Sequence, residues 1–442
     1  MCNGSIMDKL ISFALPLMLS GILQLMFNAV DLVVVGHFSG QEALAAVGST
    51  TALIAVFTNL FIGISLGANV LAARFYAAGR EKEMSETVHT SIMLALISGV
   101  AMAIVGVIFA KGALQLMDTP DNVIDLSTLY MRIYFMGMPF FMLYNYGAAI
   151  LRAVGDTKRP LVFLIISGVT NAILNMILVI VFQLGVAGVA IGTVMSQLMS
   201  CVLVLRCLCK TQSSYQLHLD RLAIKGDYVK LIFQVGIPAG IQSTVINFSN
   251  VLLQSSVNSF GATAMAGYTA ANNLLGFLYV SVNAVTQACM SFTSQNYGVG
   301  KYKRMDRVLL DCLGLTVVVA GVLGGGVYLF GPQILRIYTS EADVISCGME
   351  ILSITTIPYF LCGIMDLFPG SLRGMGYSAV PMVLSVIGTV GTRILWIYGF
   401  FPYNRTLFFL FISYPGSWLI TIVMQVICYL YVRKRCVGAQ KV

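Results

Sequence analysis

Few residues in this chain have side chains that could do chemistry, and the first of them is Asp31, an acid inside a long apolar stretch. A charge at the centre of a membrane helix costs about 2.5–3.5 kcal/mol on insertion scales, so such a residue needs a partner or a purpose. Gln24, Asn28 and Asp31 fall at i, i+4 and i+7 and share one helix face. Asn171 and Asn175 share a face of a later apolar run, and Thr193 lies in the next. With a rise of about 1.5 Å per residue, Asp31, Asn175 and Thr193 lie roughly 8, 12 and 10 Å inside the same end of their runs. A carboxylate, amide oxygens and a hydroxyl at one level can take up a proton or surround a hard cation with oxygen ligands. Asp31, Asn28, Asn171, Asn175 and Thr193 are therefore the candidate cation- or proton-binding set. A low dielectric favours the neutral carboxyl group, so Asp31 is expected to accept a proton from the outer side. The competing reading is a hydrogen-bond cluster that only holds helices together.

These residues must be positioned by membrane helices. Only 10% of the 442 residues are charged, against roughly 25% in a soluble domain, while 58% are hydrophobic and the mean hydropathy is +0.87. Apolar runs fall at about 10–36, 44–73, 87–110, 124–150, 160–183 and 186–208, then 229–258, 264–296, 307–330, 344–371, 379–400 and 407–432. The expected fold is an all-α membrane protein with twelve transmembrane helices. Its domains would be an N-terminal six-helix bundle (1–209), a cytoplasmic linker (210–228) and a C-terminal six-helix bundle (229–442). The opening residues read as a first membrane helix and not as a cleaved signal peptide.

Basic residues test this path, because they concentrate in cytoplasmic loops. Of the 26 Lys and Arg, 21 fall on one side, the last being Lys441. Three lie on the other side (Lys111, Arg336, Arg405), and Arg132 and Arg393 lie within spans. Both termini are thus expected in the cytoplasm, and topology accounts for the net charge of +8 without a nucleic-acid partner. A shift of 221–222 residues aligns Pro16 with Pro238, Asn28 with Asn250, Phe38 with Phe260, Tyr76 with Tyr297 and Gly79 with Gly300. It also aligns Leu151-Arg152-x-x-Gly155-x-x-x-x-Pro160 with Leu372-Arg373-x-x-Gly376-x-x-x-x-Pro381. Six spans per repeat is an even number, so the bundles are parallel and pseudo-symmetric, which is a transporter plan.

Other signals are weaker or absent. The only Gly-Lys pair, Gly300-Lys301, is followed by Tyr302 and makes no phosphate loop. Gly63-x-Ser65-x-Gly67 and Gly188-x-x-x-Gly192 read as close helix packing by small residues. His37, His89 and His218 show no ligand spacing, and the ten Cys read as apolar fillers, so no metal or other cofactor is expected and no enzyme. Asp366, between Pro358 and Pro369, is a possible second protonation site or substrate contact, with capping of a helix break as the alternative. Tyr134, Phe141 and Tyr144, with Gln24 and Asn250, are candidates to line a substrate cavity, packing being the alternative. Arg393 receives no role.

The chain resembles the multidrug and toxic compound extrusion (MATE) family of cation-coupled antiporters from about residue 8 to 435. The resemblance is carried by Ala14-Leu15-Pro16, Asn28-Ala29-Val30-Asp31, Gly36-His37-Phe38, Ala43-Leu44-Ala45-Ala46-Val47-Gly48 and the paired Leu-Arg-x-x-Gly segments. It implies that Asp31, Asn171, Asn175 and Thr193 match the family's N-lobe cation site and that Pro16 matches the proline at which the first helix bends. Where the family often has a carboxylate, this chain has Asn175, which weakens the case for sodium and favours protons. An acid carried by some branches in span 7 is missing.

The function implied is a secondary antiporter of the cell (inner) membrane. It would export organic cations, drugs or amphipathic metabolites in exchange for H+ or Na+, as a monomer whose partners are small substrates and the lipid bilayer. The alternative is a flippase for lipid-linked intermediates, which would want more intramembrane basic residues than Arg132 and Arg393.

Overall fold

The computed structural model describes residues 1–117 and 119–438, and their side chains except at 52 and 436–438, so Lys441 of the basic count lies outside the described residues. Among the described residues every regular element is helical, as a chain in hydrocarbon requires when backbone groups have no water to bond. The first repeat contains α1 (Ile6–Phe38), α2 (Gln41–Ala77), α3 (Glu81–Leu116), α4 (Asp121–Met136), α5 (Met138–Ala153), α6 (Lys158–Asn175) and α7 (Gly185–Lys210). The second contains α8 (Gly226–Asn258), α9 (Ala262–Gly298), α10 (Tyr302–Leu329), α11 (Gly331–Leu335), α12 (Ala342–Thr356), α13 (Tyr359–Gly374), α14 (Ala379–Ser385), α15 (Thr392–Leu395), α16 (Leu407–Phe411) and α17 (Ser413–Gly438). Turns of π-helix continue α6 over Met176–Val181, separate α14 from α15 over Val386–Gly391, and follow α15 over Trp396–Phe400.

Ten of these segments are long and apolar enough to cross a membrane, and the bent pair α12–α13, with 46° between its halves, makes an eleventh. The twelfth expected span corresponds to α4 and α5, which break at Gly137 ahead of Pro139. The protein is thus an all-α membrane protein whose helices map onto the twelve apolar runs.

The repeat is visible in the element boundaries themselves. α1 and α8 each have 33 residues, and α2 and α9 each have 37. α5 and α13 each have 16 and begin and end 221 positions apart. Three turns in each half need a backbone that only glycine adopts readily: Gly40, Gly79 and Gly155 have φ of 88°, 67° and 102°, and their counterparts Gly261, Gly300 and Gly376 have 95°, 71° and 95°.

The chain divides into two compact units, Leu19–Gly240 and Met1–Met18 with Ile241–Val442. The divisions therefore fall inside α1 and α8, each two residues after a repeat-matched proline (Pro16, Pro238), whereas the expected boundaries bracket the 210–228 linker. Helix α1 runs unbroken through Pro16. In the first unit, Ile232 of α8 is buried in one core with Ile64, Leu71, Phe135, Met142 and Ile150. Gly63 and Gly67 of α2 face the α8 backbone so closely that a Cβ on either would overlap Gly240 or Ile232. The small-residue packing read from Gly63-x-Ser65-x-Gly67 is what the structure contains. The linker is docked on this unit: His218 donates its backbone N–H to His89 Nε2 at 3.1 Å, and Tyr228 donates to Glu86 Oε2 at 2.8 Å. Two of the three histidines thus meet, as a backbone contact and a stacked pair with centroids 6.1 Å apart. In the second unit, Leu10, Phe13 and Ala14 of α1 are buried with Val285, Ala288, Phe292 and Leu372.

Overpacking a full core costs about 1–3 kcal/mol. Gly67→Ala is expected to lose that much stability, read as melting in detergent. Gly48→Ala on the same helix, where an added Cβ meets nothing within 4 Å, should lose none. Equal melting of the two variants would contradict the packing described.

Candidate functional site

The polar cluster lies in the unit Leu19–Gly240, where α1, α6 and α7 come together. Close approach is set by small residues: a Cβ on Gly168 of α6 would overlap the Phe27 ring of α1, and one on Gly192 of α7 would overlap Asn175 Oδ1. Asn175 is fully buried, Asn171 is 5% exposed, and Asp31 and Thr193 are half-buried.

Hydrogen bonds run outward from Asn175 through the cluster. Asn175 Nδ2 donates to Asp31 Oδ1 at 2.5 Å and to Asn171 Oδ1 at 3.3 Å. Asn171 Nδ2 donates in turn to Thr193 Oγ1 at 3.5 Å, and the Thr193 hydroxyl donates to the Val189 carbonyl at 3.0 Å. Asn175 Oδ1 is buried against Gly192 without a hydrogen-bond partner. An unsatisfied buried acceptor of this kind costs about 1–3 kcal/mol. It is also the atom to which a protonated Asp31 could donate if the Asn175 amide turned, since an amide offers a donor on one side and an acceptor on the other. Among the described residues no three His, Cys, Asp or Glu side chains gather as metal ligands. The cluster contains a single carboxylate with amide and hydroxyl oxygens.

The other candidate residues are placed differently. Gln24 and Asn28 are exposed on α1 and make none of the cluster's hydrogen bonds, although they share the Asp31 face in sequence. Tyr134 lies within electrostatic reach of Asp31, and so does Tyr130, which sequence reasoning did not single out; the two rings stack with centroids 6.2 Å apart. Tyr144 is buried in the helix core and donates its hydroxyl to the Pro160 carbonyl at 3.2 Å. Phe141 packs against the same core. Gly192 was read only as a packing residue, yet it is the seat of the Asn175 amide.

In the unit containing Ile241–Val442, Asp366 is half-buried within α13, eight residues beyond Pro358 at the break, so it does not cap that break. Its electrostatic neighbour is Arg373, which donates to Gln242 Oε1 at 2.5 Å. Asn250 accepts from Arg393 Nη1 at 2.9 Å. On the opposite side of the sequence, Arg132 is exposed and donates to the Val107 carbonyl at 3.2 Å.

Fold and site together define a multi-span helical membrane protein built from two repeats, with an oxygen-lined polar cluster in one of them. A family profile described as MatE matches residues 16–177 and 238–398, one segment in each repeat, and the chain belongs to that family. It is 29% identical over 433 residues to the probable multidrug resistance protein YoeA of Bacillus subtilis (strain 168), covering 96% of this chain and 93% of the relative. The probable multidrug resistance protein YpnP of the same organism is 27% identical, over 87% of this chain and 86% of its own. The fold is also that of an outward-facing multidrug resistance MATE family transporter of the MOP superfamily, with a TM-score of 0.89 at 20% identity, over 100% of this chain and 98% of that one.

The Gly192 contact can be tested by a double-mutant cycle. Gly192→Ala should cost about 1–3 kcal/mol. In an Asn175→Ala background the same change should be less harmful by at least ~0.5 kcal/mol, because the overlapping atom is gone. Additive losses in detergent melting would show that the two residues do not touch.

Proposed function

We propose that the protein is a secondary antiporter that exports amphipathic compounds and drugs while a proton moves inward through the Asp31 cluster. The observation that carries this reading is the chain of contacts from Asp31 through Asn175 and Asn171 to Thr193. It gives an intramembrane acid a set of amide and hydroxyl partners on two other helices. The family and the multidrug resistance names of its relatives support export of small substrates across a cell membrane. The bias of Lys and Arg supports cytoplasmic termini.

The donor set supports proton rather than sodium coupling. A hard cation wants several oxygens with formal charge among them. Here the Asn175 amide offers Asp31 its nitrogen, and Asn171 Oδ1 is already an acceptor. A proton needs only one carboxyl oxygen and a turn of the Asn175 amide. A transmembrane potential supplies about 2.3 kcal/mol per charge per 100 mV, and each pH unit supplies about 1.4 kcal/mol. One proton per cycle thus drives export of an uncharged compound with both contributions, and of a monovalent cation with the pH gradient alone, because the exchanged charges then cancel. Binding drives the conformational change only through its different affinity for the two states. Helix α1 belongs to one compact unit up to Met18 and to the other from Leu19 onward, and Asp31 lies in the latter stretch.

Everted membrane vesicles should accumulate a fluorescent amphipathic compound, tried in cationic, neutral and carboxylate forms, under a pH gradient, and Asp31→Asn should reduce that accumulation at least tenfold. Asn175→Asp, which adds a second carboxylate, should make accumulation responsive to a sodium gradient. Export that continues unchanged in Asp31→Asn would overturn the coupling role. Accumulation driven by sodium alone in the wild type would overturn the choice of proton.

A further inference from the structure

The second repeat has a group of opposite charge at the counterpart of the Asp31 cluster. At an offset of 221–222 residues, Asn28 corresponds to Asn250, Asn171 or Ala172 to Arg393, and Thr193 to Tyr414 or Pro415, while Asp31 corresponds to Leu252 or Leu253. These counterparts meet within the unit that contains Ile241–Val442. Arg393 Nη1 donates to Asn250 Oδ1 at 2.9 Å, and the guanidinium carbon lies 4.2 Å from the centroid of the Tyr414 ring. Helices α8, α15 and α17 thus converge on a cation where α1, α6 and α7 converge on an acid. The backbone is widened at both places: π-helix follows Asn175 directly and flanks α15 on both sides. Such turns recur at functional sites.

Arg393 is 3% exposed. Among the described residues no carboxylate is paired with it, and its Nε has no hydrogen-bond partner. Asp366 and Arg393 both act on Cys362, but the charge that acts on Asp366 is that of Arg373. An amide oxygen and an aromatic face attract a guanidinium without neutralising it, and a buried cation is favourable only with a compensating anion. Arg presents a planar fork of donors that matches a carboxylate with two parallel hydrogen bonds. Asn250 and Tyr414 are half-buried, so the amide and the ring beside the buried guanidinium are partly accessible. Tyr414 lies 5.7 Å from Trp418, giving an aromatic wall next to the guanidinium.

We propose that Arg393, Asn250 and Tyr414 form a subsite for the oxyanion of an amphipathic substrate, a carboxylate, with Tyr414 and Trp418 taking its apolar body. This names a substrate class for the export function and rests on that reading. Its test is equilibrium binding without any gradient, so a failure of proton coupling leaves it standing. Both tryptophans of the chain, Trp396 and Trp418, lie within this region and provide an intrinsic fluorescence signal.

Purified full-length protein in phosphatidylcholine nanodiscs would be titrated with cyclohexanecarboxylate, its uncharged carboxamide and cyclohexylmethylammonium, with equilibrium dialysis alongside fluorescence. The carboxylate should bind at least tenfold more tightly than the carboxamide. Arg393→Gln should bring that ratio to within about twofold of unity, and Arg393→Lys should retain part of it. Asn250→Asp, which gives Arg393 an internal carboxylate, should reduce the ratio as well. Equal affinity for carboxylate and carboxamide in the wild type would overturn the proposal, whether or not the Arg393 variants fold. So would a ratio that survives Arg393→Gln. Displacement of the carboxylate by phosphatidylglycerol added to the nanodiscs would assign the guanidinium to a lipid headgroup and overturn the substrate reading.

Discussion

Hydrocarbon offers no hydrogen bonds, so every polar group carried into it must find its partner within the protein. That constraint explains why the described backbone is helical and why hydroxyls along the spans turn back onto the preceding turn, as Thr58, Thr170 and Thr355 do onto Ile54, Ile166 and Ile351. It also concentrates meaning in the few side chains that helical bonding cannot satisfy. A serine or threonine can be silenced by its own helix, whereas Asp31 and Arg393 take their side-chain partners from other helices, and Asn175 divides its amide between Asn171 of its own helix and Asp31 of another. Their positions therefore determine which helices must lie close together, and glycines such as Gly168 and Gly192 make that closeness possible.

The internal repeat acts on the same constraint twice. Helix lengths, the breaks at Gly137 and Pro358, and the left-handed glycines recur because backbone geometry is common to both halves. Side-chain chemistry is not common to both. The position of an acid in one half is leucine in the other, and the position of an asparagine or alanine is arginine. A scaffold that brings three helices together around a polar point tolerates either charge at that point, provided the partners change with it. Asn175 turns its amide nitrogen to the acid, and Asn250 turns its amide oxygen to the cation.

Much of this was legible in the sequence, for identifiable reasons. Apolar run lengths are fixed by membrane thickness, so the helices fell where hydropathy placed them. The shared depth of Asp31, Asn175 and Thr193 followed from helical rise alone, and the structure joins them. Helix face was a poorer guide: Gln24 and Asn28 share a face with Asp31 but remain outside the cluster, because burial depends on which neighbour covers each turn. The roles of Tyr144 and Asn250 were illegible for a related reason, since their partners, the Pro160 carbonyl and Arg393, are supplied by other helices. The contact boundaries inside α1 and α8 left no compositional trace, because a linker marks a change in covalent path and says nothing about which unit a continuous helix packs with. Gly192 carried a packing signal, but only coordinates reveal that the atom it accommodates is the amide oxygen beside the acid.

The two charges differ in one respect that sets their roles apart. A carboxyl group in a low dielectric can remove its own charge by taking up a proton, so a site built on Asp31 has two states separated by an event at the water interface. A guanidinium keeps its proton at any pH the cell reaches, so a site built on Arg393 has no such second state of its own. On the proposed reading, its charge is balanced when an anionic substrate arrives. The acid half is therefore suited to coupling, where a site must fill and empty with a small ion. The arginine half is suited to recognition, where a fixed charge waits for a larger partner.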